Sequence, residues 1–364
     1  MQPDAVLNQM RVLSPIFHRA VYPALGSSGY FHSRFAPSSI VSVVTYHGVL
    51  PSGYERAYPD LDNTLVNPAS FRCQLRLLKE HYNVISPEQF RQWLRQQDEL
   101  PERAILLTCD DGLLNHLTTM LPILQEEELR CLFFVTGASL GDEPGILWYM
   151  ELYLMLMKAP AQDQPVVLRG IAIPRIPADR VQRNALWQEL MKTLSRLDDC
   201  GRRDFMQEAR ASLGSPAWRT RLRDDPLLRD RFQLLRPSEL KQLADAGMTI
   251  GAHTLSHPVL AEQSFDLSRS EILECRTAME RCLGKPVWAV AYPFGTLSSV
   301  SEREYRLAQE AGYECAFMNV GGTLKSDVAR LAFPRVHITA EMSLPVYEAY
   351  VSGFHNALRG WLRS

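Results

Sequence analysis

Short apolar segments that end in polar residues alternate with helical segments along this chain, and this alternation constrains its fold most strongly. The run 104–108 (AILLT) leads through Cys109 into Asp110-Asp111; a helical segment follows, and then the run 130–136 (RCLFFVT). Strand, helix, strand in this order predicts parallel βαβ units with right-handed crossovers. The order returns after residue 237, so the sequence predicts an α/β fold that forms a closed or nearly closed barrel.

Local signals place the first helices of this barrel. The run 39–45 (SIVSVVT) predicts a buried strand, and a helical pattern over 70–81 follows it, with Ser70 as the expected N-cap. Ser86 followed by Pro87 predicts the start of another helix, because serine caps helices and proline is favoured at the first helical position.

The stretch 144–235 interrupts the strand and helix alternation. It has mainly helical patterning and no Gly/Ser-rich linker at either end, which favours an insertion into the barrel over a separate domain, the alternative. We therefore predict an N-terminal helical segment (1–38), a barrel (39–345) carrying this insertion, and a C-terminal helix (346–364).

Composition excludes several classes of protein. The net charge of −2 and the lack of any aromatic-rich basic stripe argue against a nucleic-acid partner. The seven cysteines are scattered and form no CxxC pair, which predicts small buried hydrophobic residues and no zinc ribbon or redox couple. The oligomeric state cannot be predicted from this chain.

The N-terminal residues 1–20 lack the charged start, apolar core and cleavage site of a secretory signal, and no window holds the ~20 apolar residues that span a bilayer. The sequence thus predicts a cytoplasmic protein, with a position at the inner face of the membrane as an alternative. That alternative rests on Ile146 to Lys158 (ILWYMELYLMLMK), which would lie on a membrane surface unless it packs on the barrel, the expected outcome.

Asp110 and Asp111 end a buried strand at the rim where barrel enzymes place their catalytic side chains. Two adjacent carboxylates are costly to bury because each loses hydration. One can bind a metal while the other acts on a water molecule. The alternative is a helix N-cap with an exposed neighbour.

His253 and His257 follow a short predicted strand in GAHTLSHP. A spacing of four places both imidazoles on one side if the segment turns helically, which is a usual arrangement of metal ligands. Two histidines and one carboxylate leave open positions on a zinc-like ion, as catalytic sites require. Such a site predicts metal-dependent hydrolysis.

A hydrolase of this kind also needs a proton donor for its leaving group. His337 in FPRVHIT is the candidate, because histidine protonates near neutral pH; a half-buried strand histidine is the alternative. The turn Ala291-Tyr292-Pro293-Phe294-Gly295 is a candidate source of a backbone N–H for the oxyanion. His47 ends the first strand and is a candidate substrate contact.

Four segments together resemble the motifs of the polysaccharide deacetylases with a NodB homology domain, carbohydrate esterase family 4. They are TCDDG (108–112), HTLSH (253–257), AYPFG (291–295) and the VHI around His337. LFFVTG (132–137) also resembles the strand after the first motif. The resemblance covers roughly residues 40–150 and 235–339, and the combination of motifs is far more specific than any one of them.

The resemblance implies a distorted (β/α) barrel of about seven parallel strands that removes acetyl groups from N-acetylated sugars. Asp110 would be the general base, His337 the acid, and Asp111, His253 and His257 the ligands of a divalent metal. The metal would be zinc, with cobalt or nickel able to replace it, and the partner would be a polysaccharide, an oligosaccharide or a lipid-linked glycan precursor.

The chain departs from the family pattern at three points. Cys109 stands where phenylalanine is usual, and the segment between Asp110 and His253 is longer than in compact relatives. The third motif lacks the arginine that pairs with the base in many relatives, and Arg335 is our candidate to orient Asp110 instead. With Arg335, the residues Tyr292, Pro293 and His47 complete the predicted substrate and oxyanion site.

Two other functions remain open at this point. A hydrolase with the same machinery would act on a cyclic amide or a small acylated metabolite. A non-catalytic module would bind sugar through a deacetylase-like scaffold, although buried unpaired carboxylates persist poorly without a role.

Overall fold

The computed structural model describes five ranges of the chain. They are residues 15–35, 41–141, 145–213, 216–324 and 328–361. Residues 1–14 and 36–38 of the predicted N-terminal segment and residues 39–40 of the first predicted strand lie outside these ranges. So do residue 144, with which the predicted insertion begins, and residues 362–364 of the predicted C-terminal helix.

Eight strands form one curled sheet in which every pairing is parallel. The strands of this sheet are β1 (Val41–Tyr46), β2 (Asn83–Ile85), β3 (Ala104–Cys109), β4 (Leu132–Val135), β7 (Thr249–Ala252), β8 (Ala289–Ala291), β9 (Cys315–Phe317) and β10 (Val336–His337). They follow the order β10-β1-β3-β4-β7-β8-β9, and β2 pairs with the first half of β3. A separate antiparallel hairpin contains β5 (Val166–Leu168) and β6 (Ile171–Ile173).

The two edges of the curled sheet are linked by the segment 330–333. Its backbone exchanges hydrogen bonds with β9, and β10, which follows it directly, pairs with β1. Every residue of β1, β3 and β4 is buried, as expected for parallel strands covered on both faces. The predicted distorted (β/α) barrel of about seven parallel strands is confirmed.

Helices cover the outside of the sheet, and further helices lie near both ends of the described chain. Within the described ranges they are α1 (Tyr22–Ser27), α2 (Tyr30–Ser33), α3 (Pro59–Asp62), α4 (Pro68–His81), α5 (Pro87–Leu94), α6 (Leu121–Glu126), α7 (Trp148–Lys158), α8 (Arg180–Leu194), α9 (Asp199–Ser212), α10 (Pro216–Asp224), α11 (Pro226–Phe232), α12 (Pro237–Asp245), α13 (Phe265–Leu283), α14 (Glu302–Glu310), α15 (Leu344–Val351) and α16 (Phe354–Trp361). None of them has both the length and the apolar character needed to cross a bilayer.

One predicted helix start is confirmed and another is wrong. Ser86 caps α5 in a capping box with Gln89, and Pro87 occupies the first turn as predicted. Ser70 does not cap α4, because Asn67 accepts the Ser70 backbone N–H and Pro68 starts the helix. An asparagine followed by proline is as good a start signal as serine, so the helix begins one turn earlier.

The inserted region contains helices α7 to α11 and the hairpin β5–β6, which the helical pattern did not predict. Its apolar side chains form a cluster with barrel residues such as Leu50, Leu61 and Leu113. Helix α7 lies at the centre of this cluster, and Leu152 and Leu156 are fully buried. Ile146 to Lys158 therefore packs inside the protein, which is the expected outcome, and the structure gives no support to the alternative of a membrane surface.

The N-terminal helices dock on the C-terminal ones rather than on the sheet. Tyr22 hydrogen-bonds His355 at 2.7 Å, and Phe31 and Val346 belong to the same small apolar cluster.

All seven cysteines are free thiols, but the expectation that they are buried is wrong for Cys73 and Cys200, which are exposed.

A buried ion pair joins the insertion to the barrel. Arg231 of α11 donates through Nε to Asp62 of α3 at 2.7 Å, and both side chains are fully buried. Asp62 also accepts the Tyr58 backbone N–H at 3.0 Å. Neither charge has access to water, so each depends on the other for compensation.

We predict that Arg231→Met lowers the free energy of unfolding by about 3–5 kcal/mol, because it leaves the Asp62 carboxylate buried without a counter-ion. Urea unfolding measures the change. Arg229→Met, on the same helix and half exposed, is the matched control and should cost far less. If Asp62→Asn with Arg231→Met is no more stable than Arg231→Met alone, the uncompensated charge is not the cause.

Candidate active site

The two aspartates leave β3 in different directions because the chain turns sharply after Cys109. Asp111 has a φ of 84°, which is rare outside glycine, and Gly112 follows at 82°. A Cβ on Gly112 would lie 2.6 Å from Val135 Cγ1, so only glycine fits at this point. Strained backbone of this kind persists where the surroundings hold it, often at functional sites.

Asp110 forms a two-pronged ion pair with Arg335 at the bottom of the site. Arg335 donates to Asp110 Oδ1 at 2.7 Å and to Oδ2 at 2.5 Å, and its Nε donates to the Met318 carbonyl. Burial alone would raise the pKa of Asp110, but the Arg335 charge and hydrogen bonds outweigh it and lower that pKa. Asp110 is therefore ionised at neutral pH.

Asp111, His253 and His257 bring one ligand atom each into a buried cluster. Their ligand atoms all lie within 4.8 Å of one another, and among the residues that the structure describes they are the one such group. Asp111 Oδ1 lies 3.7 Å from His253 Nε2 and 3.4 Å from His257 Nε2. Burial opposes ionisation of Asp111, but the His257 hydrogen bond and nearby histidine charges lower its pKa.

These three side chains fit a divalent metal ion. His253 Nδ1 donates to the Ala291 carbonyl at 2.7 Å, which leaves Nε2 with its lone pair directed at Asp111. Burial lowers the pKa of His253 to about 4, so its imidazole is neutral and able to bind a metal. Asp111 Oδ2 is buried without a hydrogen-bond partner, as a ligand atom without its ion would be.

The two histidines are brought together by a loop and not by the predicted helical turn. Thr254 has a φ of 61° and His257 a φ of 58°, so the chain reverses between them. The imidazole rings still meet, with centroids 5.0 Å apart. The predicted pairing is observed, and its assumed backbone geometry is wrong.

The insertion holds this loop in place. Arg202 of α9 is almost fully buried and donates to Ser256 Oγ at 2.8 Å, while Glu271 of α13 accepts both the Ser256 hydroxyl and its backbone N–H. Trp148 of α7 donates through Nε1 to the His257 carbonyl at 3.2 Å. Arg202 also lies over the Trp148 ring at 5.4 Å.

A cavity of about 290 Å³ opens over the two aspartates. Of the predicted site residues, six line it: His47, Asp110, Asp111, His253, His257 and Tyr292. Pro293, Arg335 and His337 do not. Sequence reasoning missed the other lining residues, which are Asp60, Leu61, Thr64, Tyr149, Met150, Trp187, Met191, Phe294, Thr296 and Asn319.

Most of the missed residues come from α3 and the turn after it and from the insertion, where no motif marks them. Phe294 was recognisable, because it lies inside the AYPFG turn. Its ring packs against the His257 ring with centroids 5.0 Å apart, as does the Tyr149 ring at 5.4 Å. The wall beside the proposed metal ligands is therefore aromatic.

His47 and His337 pack against each other with ring centroids 4.8 Å apart. Each has a buried ring nitrogen without a hydrogen-bond partner, Nδ1 in His47 and Nε2 in His337. Burial, followed by the His47 charge, lowers the pKa of His337 to about 3. His337 is thus a neutral imidazole at neutral pH, and its neighbour His47 is the one that lines the cavity.

In the AYPFG turn, one backbone amide is not already used in a hydrogen bond and could donate to an oxyanion. The Tyr292 N–H donates to the Phe317 carbonyl, the Gly295 N–H to the Pro293 carbonyl and the Thr296 N–H to Ser299 Oγ. Proline has no N–H. Within the described part of the chain this leaves the Phe294 amide, and neither Tyr292 nor Pro293 can donate from its backbone. The Tyr292 hydroxyl is also occupied, since it donates to the Leu331 carbonyl.

We predict that Arg202→Met weakens zinc binding by about tenfold to a hundredfold, because it frees the loop that carries His257. Zinc titration of the metal-stripped protein against a competing chelator measures the affinity. Arg203→Met is the matched control, since Arg203 neighbours Arg202 and pairs with the same Asp199 but is exposed. Equal affinities for the two variants would contradict a positioning role for Arg202.

Comparisons with known proteins agree with this geometry. The sequence profile of the polysaccharide deacetylase family matches residues 208–316, which contain both histidines and the AYPFG turn. The protein YxkH of Bacillus subtilis (strain 168), assigned as a polysaccharide deacetylase, is 23% identical over 117 residues. That match covers 32% of this chain and 41% of YxkH, less than half of its length.

Solved structures share the fold over most of the chain. The Streptococcus pyogenes deacetylase PplD, solved in complex with acetate, is 18% identical with a TM-score of 0.54 and covers 85% of this chain and 97% of its own. A polysaccharide deacetylase from Bacillus cereus is 17% identical with a TM-score of 0.53 and covers 85% and 68%. The chain is thus similar in sequence to polysaccharide deacetylases over residues 208–316, and it shares the fold of the solved deacetylases.

Proposed function

We propose that this protein is a metal-dependent hydrolase that removes acetyl groups from an N-acetylated sugar. The observation that carries this proposal is the buried group of Asp110, Asp111, His253 and His257 at the floor of one cavity. Asp110 is oriented by Arg335 and kept ionised, while the other three are arranged as metal ligands. The relatives named above support the choice of an acetylated sugar as substrate.

Asp111, His253 and His257 would hold the ion, and zinc, cobalt or nickel suits this donor set. Such an ion polarises the amide carbonyl and makes a bound water acidic. Asp110 accepts the proton of the attacking water. Its lowered pKa makes it a weak base but keeps it in the required ionised form.

We propose His337 as the proton donor to the leaving nitrogen. It is neutral before the reaction, so it takes up the proton that Asp110 removes from the attacking water before it passes a proton to the leaving nitrogen. His47, whose ring centroid lies 4.8 Å from that of His337, lines the cavity beside it. The Phe294 amide is the proposed donor to the oxyanion, in place of the earlier candidates Tyr292 and Pro293.

The cavity walls suit a sugar ring. Tyr149, Trp187 and Phe294 provide aromatic faces, and Asp60, Thr64 and Asn319 provide polar atoms for hydroxyl groups. Pockets for polar ligands combine an apolar lining with a few placed polar groups. Since Tyr149 and Trp187 belong to the insertion, we propose that 144–235 is a specificity element inserted into the barrel 39–345. The single C-terminal helix predicted over 346–364 is replaced, in the described part of the chain, by the two helices α15 and α16.

We predict that Asp110→Asn reduces acetate release from N-acetylglucosamine oligomers by at least about a hundredfold, because general-base catalysis contributes about that much. Zinc affinity should stay within about threefold of the wild type, since Asp110 is not a proposed ligand. Acetate release is measured by a coupled enzymatic assay on zinc-loaded protein. His253→Ala is the contrasting variant and should lose the metal as well as the activity.

Full activity of Asp110→Asn would contradict the base assignment. Tight zinc binding without release of acetate from sugar oligomers or from an activated acetyl ester would contradict the deacetylase assignment. Failure to bind any divalent ion would contradict the metal site.

We predict that replacing Arg335 moves the acidic limb of the pH profile of kcat/KM to higher pH. Without the guanidinium, burial dominates and raises the pKa of Asp110, so the base is protonated at a pH where the wild type is still active. Opposite charges of this kind account for about one to three pKa units. Arg335→Met should show the larger shift, and Arg335→Lys, which keeps the charge, a smaller one.

The profile is measured on zinc-loaded protein, with circular dichroism to confirm folding. An unchanged acidic limb in a folded Arg335→Met variant would show that Arg335 does not set the pKa of the base.

A further inference from the structure

A second cavity, also of about 290 Å³, lies on the insertion beside the loop that precedes α3. Its lining is polar and basic, and no acidic residue contributes to it among the residues that the structure describes. The residues that matter here are Ala57, Tyr58, Met157, Lys158, Arg180 and Arg183.

Arg183 differs from the other cations of this cavity, because its guanidinium is buried without a counter-ion among the residues that the structure describes. The residue is 8% exposed, and it donates only to backbone carbonyls, those of Leu156, Ala159 and Pro177. These bonds fix its orientation but leave its charge uncompensated. Burying a charge in this way is costly, and a bound anion would offset the cost.

Two further cationic side chains line the same cavity. Lys158 ends α7, is exposed, and makes no ion pair within the described ranges. Arg180 begins α8 and donates to the Ala57 carbonyl at 3.2 Å and to Tyr153 Oη at 3.3 Å. Three positive charges around one concave surface attract an anion more strongly than each does alone.

The same two helices build this cavity and the candidate active site. Helix α7 supplies Met150 to the active-site cavity and Met157 to the basic one, seven residues later. Helix α8 supplies Arg180 to the basic cavity and Trp187 to the active-site cavity, again seven residues apart. Seven residues of helix span about 10.5 Å, so the two cavities are neighbours about two helical turns apart along the same pair of helices.

A chain of hydrogen bonds forms the floor between the two cavities. Asp60, which lines the active-site cavity, accepts from Tyr153 Oη at 2.7 Å and from Asn184 Nδ2 at 3.1 Å. Tyr153 in turn accepts from Arg180 of the basic cavity. Asp60 is exposed, so the surface between the two cavities reaches solvent at this residue.

We propose that the basic cavity binds a phosphate or diphosphate group of the substrate, so that the enzyme acts on a phosphorylated N-acetylhexosamine rather than on a neutral glycan. A hexosamine ring followed by a diphosphate has the length needed to reach from one cavity to the other. This inference rests on the proposed deacetylase function, because that function places the acetamido group over Asp110.

The test compares three substrates that share the same N-acetylglucosamine. They are the neutral methyl glycoside, the uridine diphosphate sugar, and the sugar diphosphate of a short prenol in detergent. We expect kcat/KM for acetate release to be about tenfold or more higher with either diphosphate, with a preference that falls as salt rises. Lys158→Gln with Arg180→Gln should remove that preference and leave kcat/KM for the neutral glycoside unchanged.

Lys192→Gln with Arg175→Gln is the matched control, because it also removes two exposed charges of the insertion but none from either cavity. It should keep the diphosphate preference. Arg183 is left in place, since its bonds to three carbonyls support the fold.

Binding of the uridine diphosphate sugar to the Asp110→Asn variant, measured by calorimetry, separates this inference from the function on which it rests. Binding to this variant that requires Lys158 and Arg180, together with a zinc-loaded wild type that releases no acetate from any of the three substrates, would support the anion site and overturn the deacetylase. Equal kcat/KM for neutral and diphosphate sugars, or binding unaffected by the double variant, would overturn the anion site and leave the deacetylase standing. A preference for the prenol diphosphate over the nucleotide would identify a lipid-linked source for the phosphate.

Discussion

The ion pair between Arg335 and Asp110 is the interaction on which the rest of the site depends. Two carboxylates end one buried strand, and a barrel core can hold them only if each is compensated. Arg335 reaches Asp110 from just before β10, with its guanidinium near the rings of Phe134 and Phe317. It therefore keeps one carboxylate, the proposed base, ionised and leaves the other, Asp111, beside the two histidines. The segment 330–333 links the two edges of the sheet, and Arg335 follows shortly after it. This link places the arginine next to the end of β3.

The site is built by two parts of the chain with different tasks. The barrel supplies every group proposed to act on the amide, each at or just beyond the end of a strand. The insertion supplies two walls and a support: Tyr149 and Trp187 line the cavity, and Arg202 holds Ser256 between the two histidines. Changes in the insertion are therefore expected to affect both which substrate binds and how tightly the metal is held. Helix α7 is largely buried, since it packs against α8, α9 and barrel residues such as Leu61.

Charge is distributed unevenly between the two cavities that α7 and α8 help to form. The active-site cavity carries the carboxylates of Asp60, Asp110 and Asp111, and the basic cavity two helical turns away carries only cations. A neutral glycan would gain nothing from that difference. The proposed substrate would match this difference, because its phosphates would meet the cations while its neutral acetamido group would lie over the proposed metal ligands.

The sequence by itself determined the parallel barrel, the acid pair at the end of β3 and the two histidines after β7. These follow from local patterns, since strand periodicity, a glycine turn and a motif act over a few residues. Only the tertiary structure decided that Arg335 pairs with Asp110, that Phe294 rather than Tyr292 offers the free amide, and that α7 packs inside and not on a membrane. Each of these depends on groups distant in sequence, whose meeting is set by sheet curvature and packing. Burial of a charge is a property of the folded environment, which no local pattern contains.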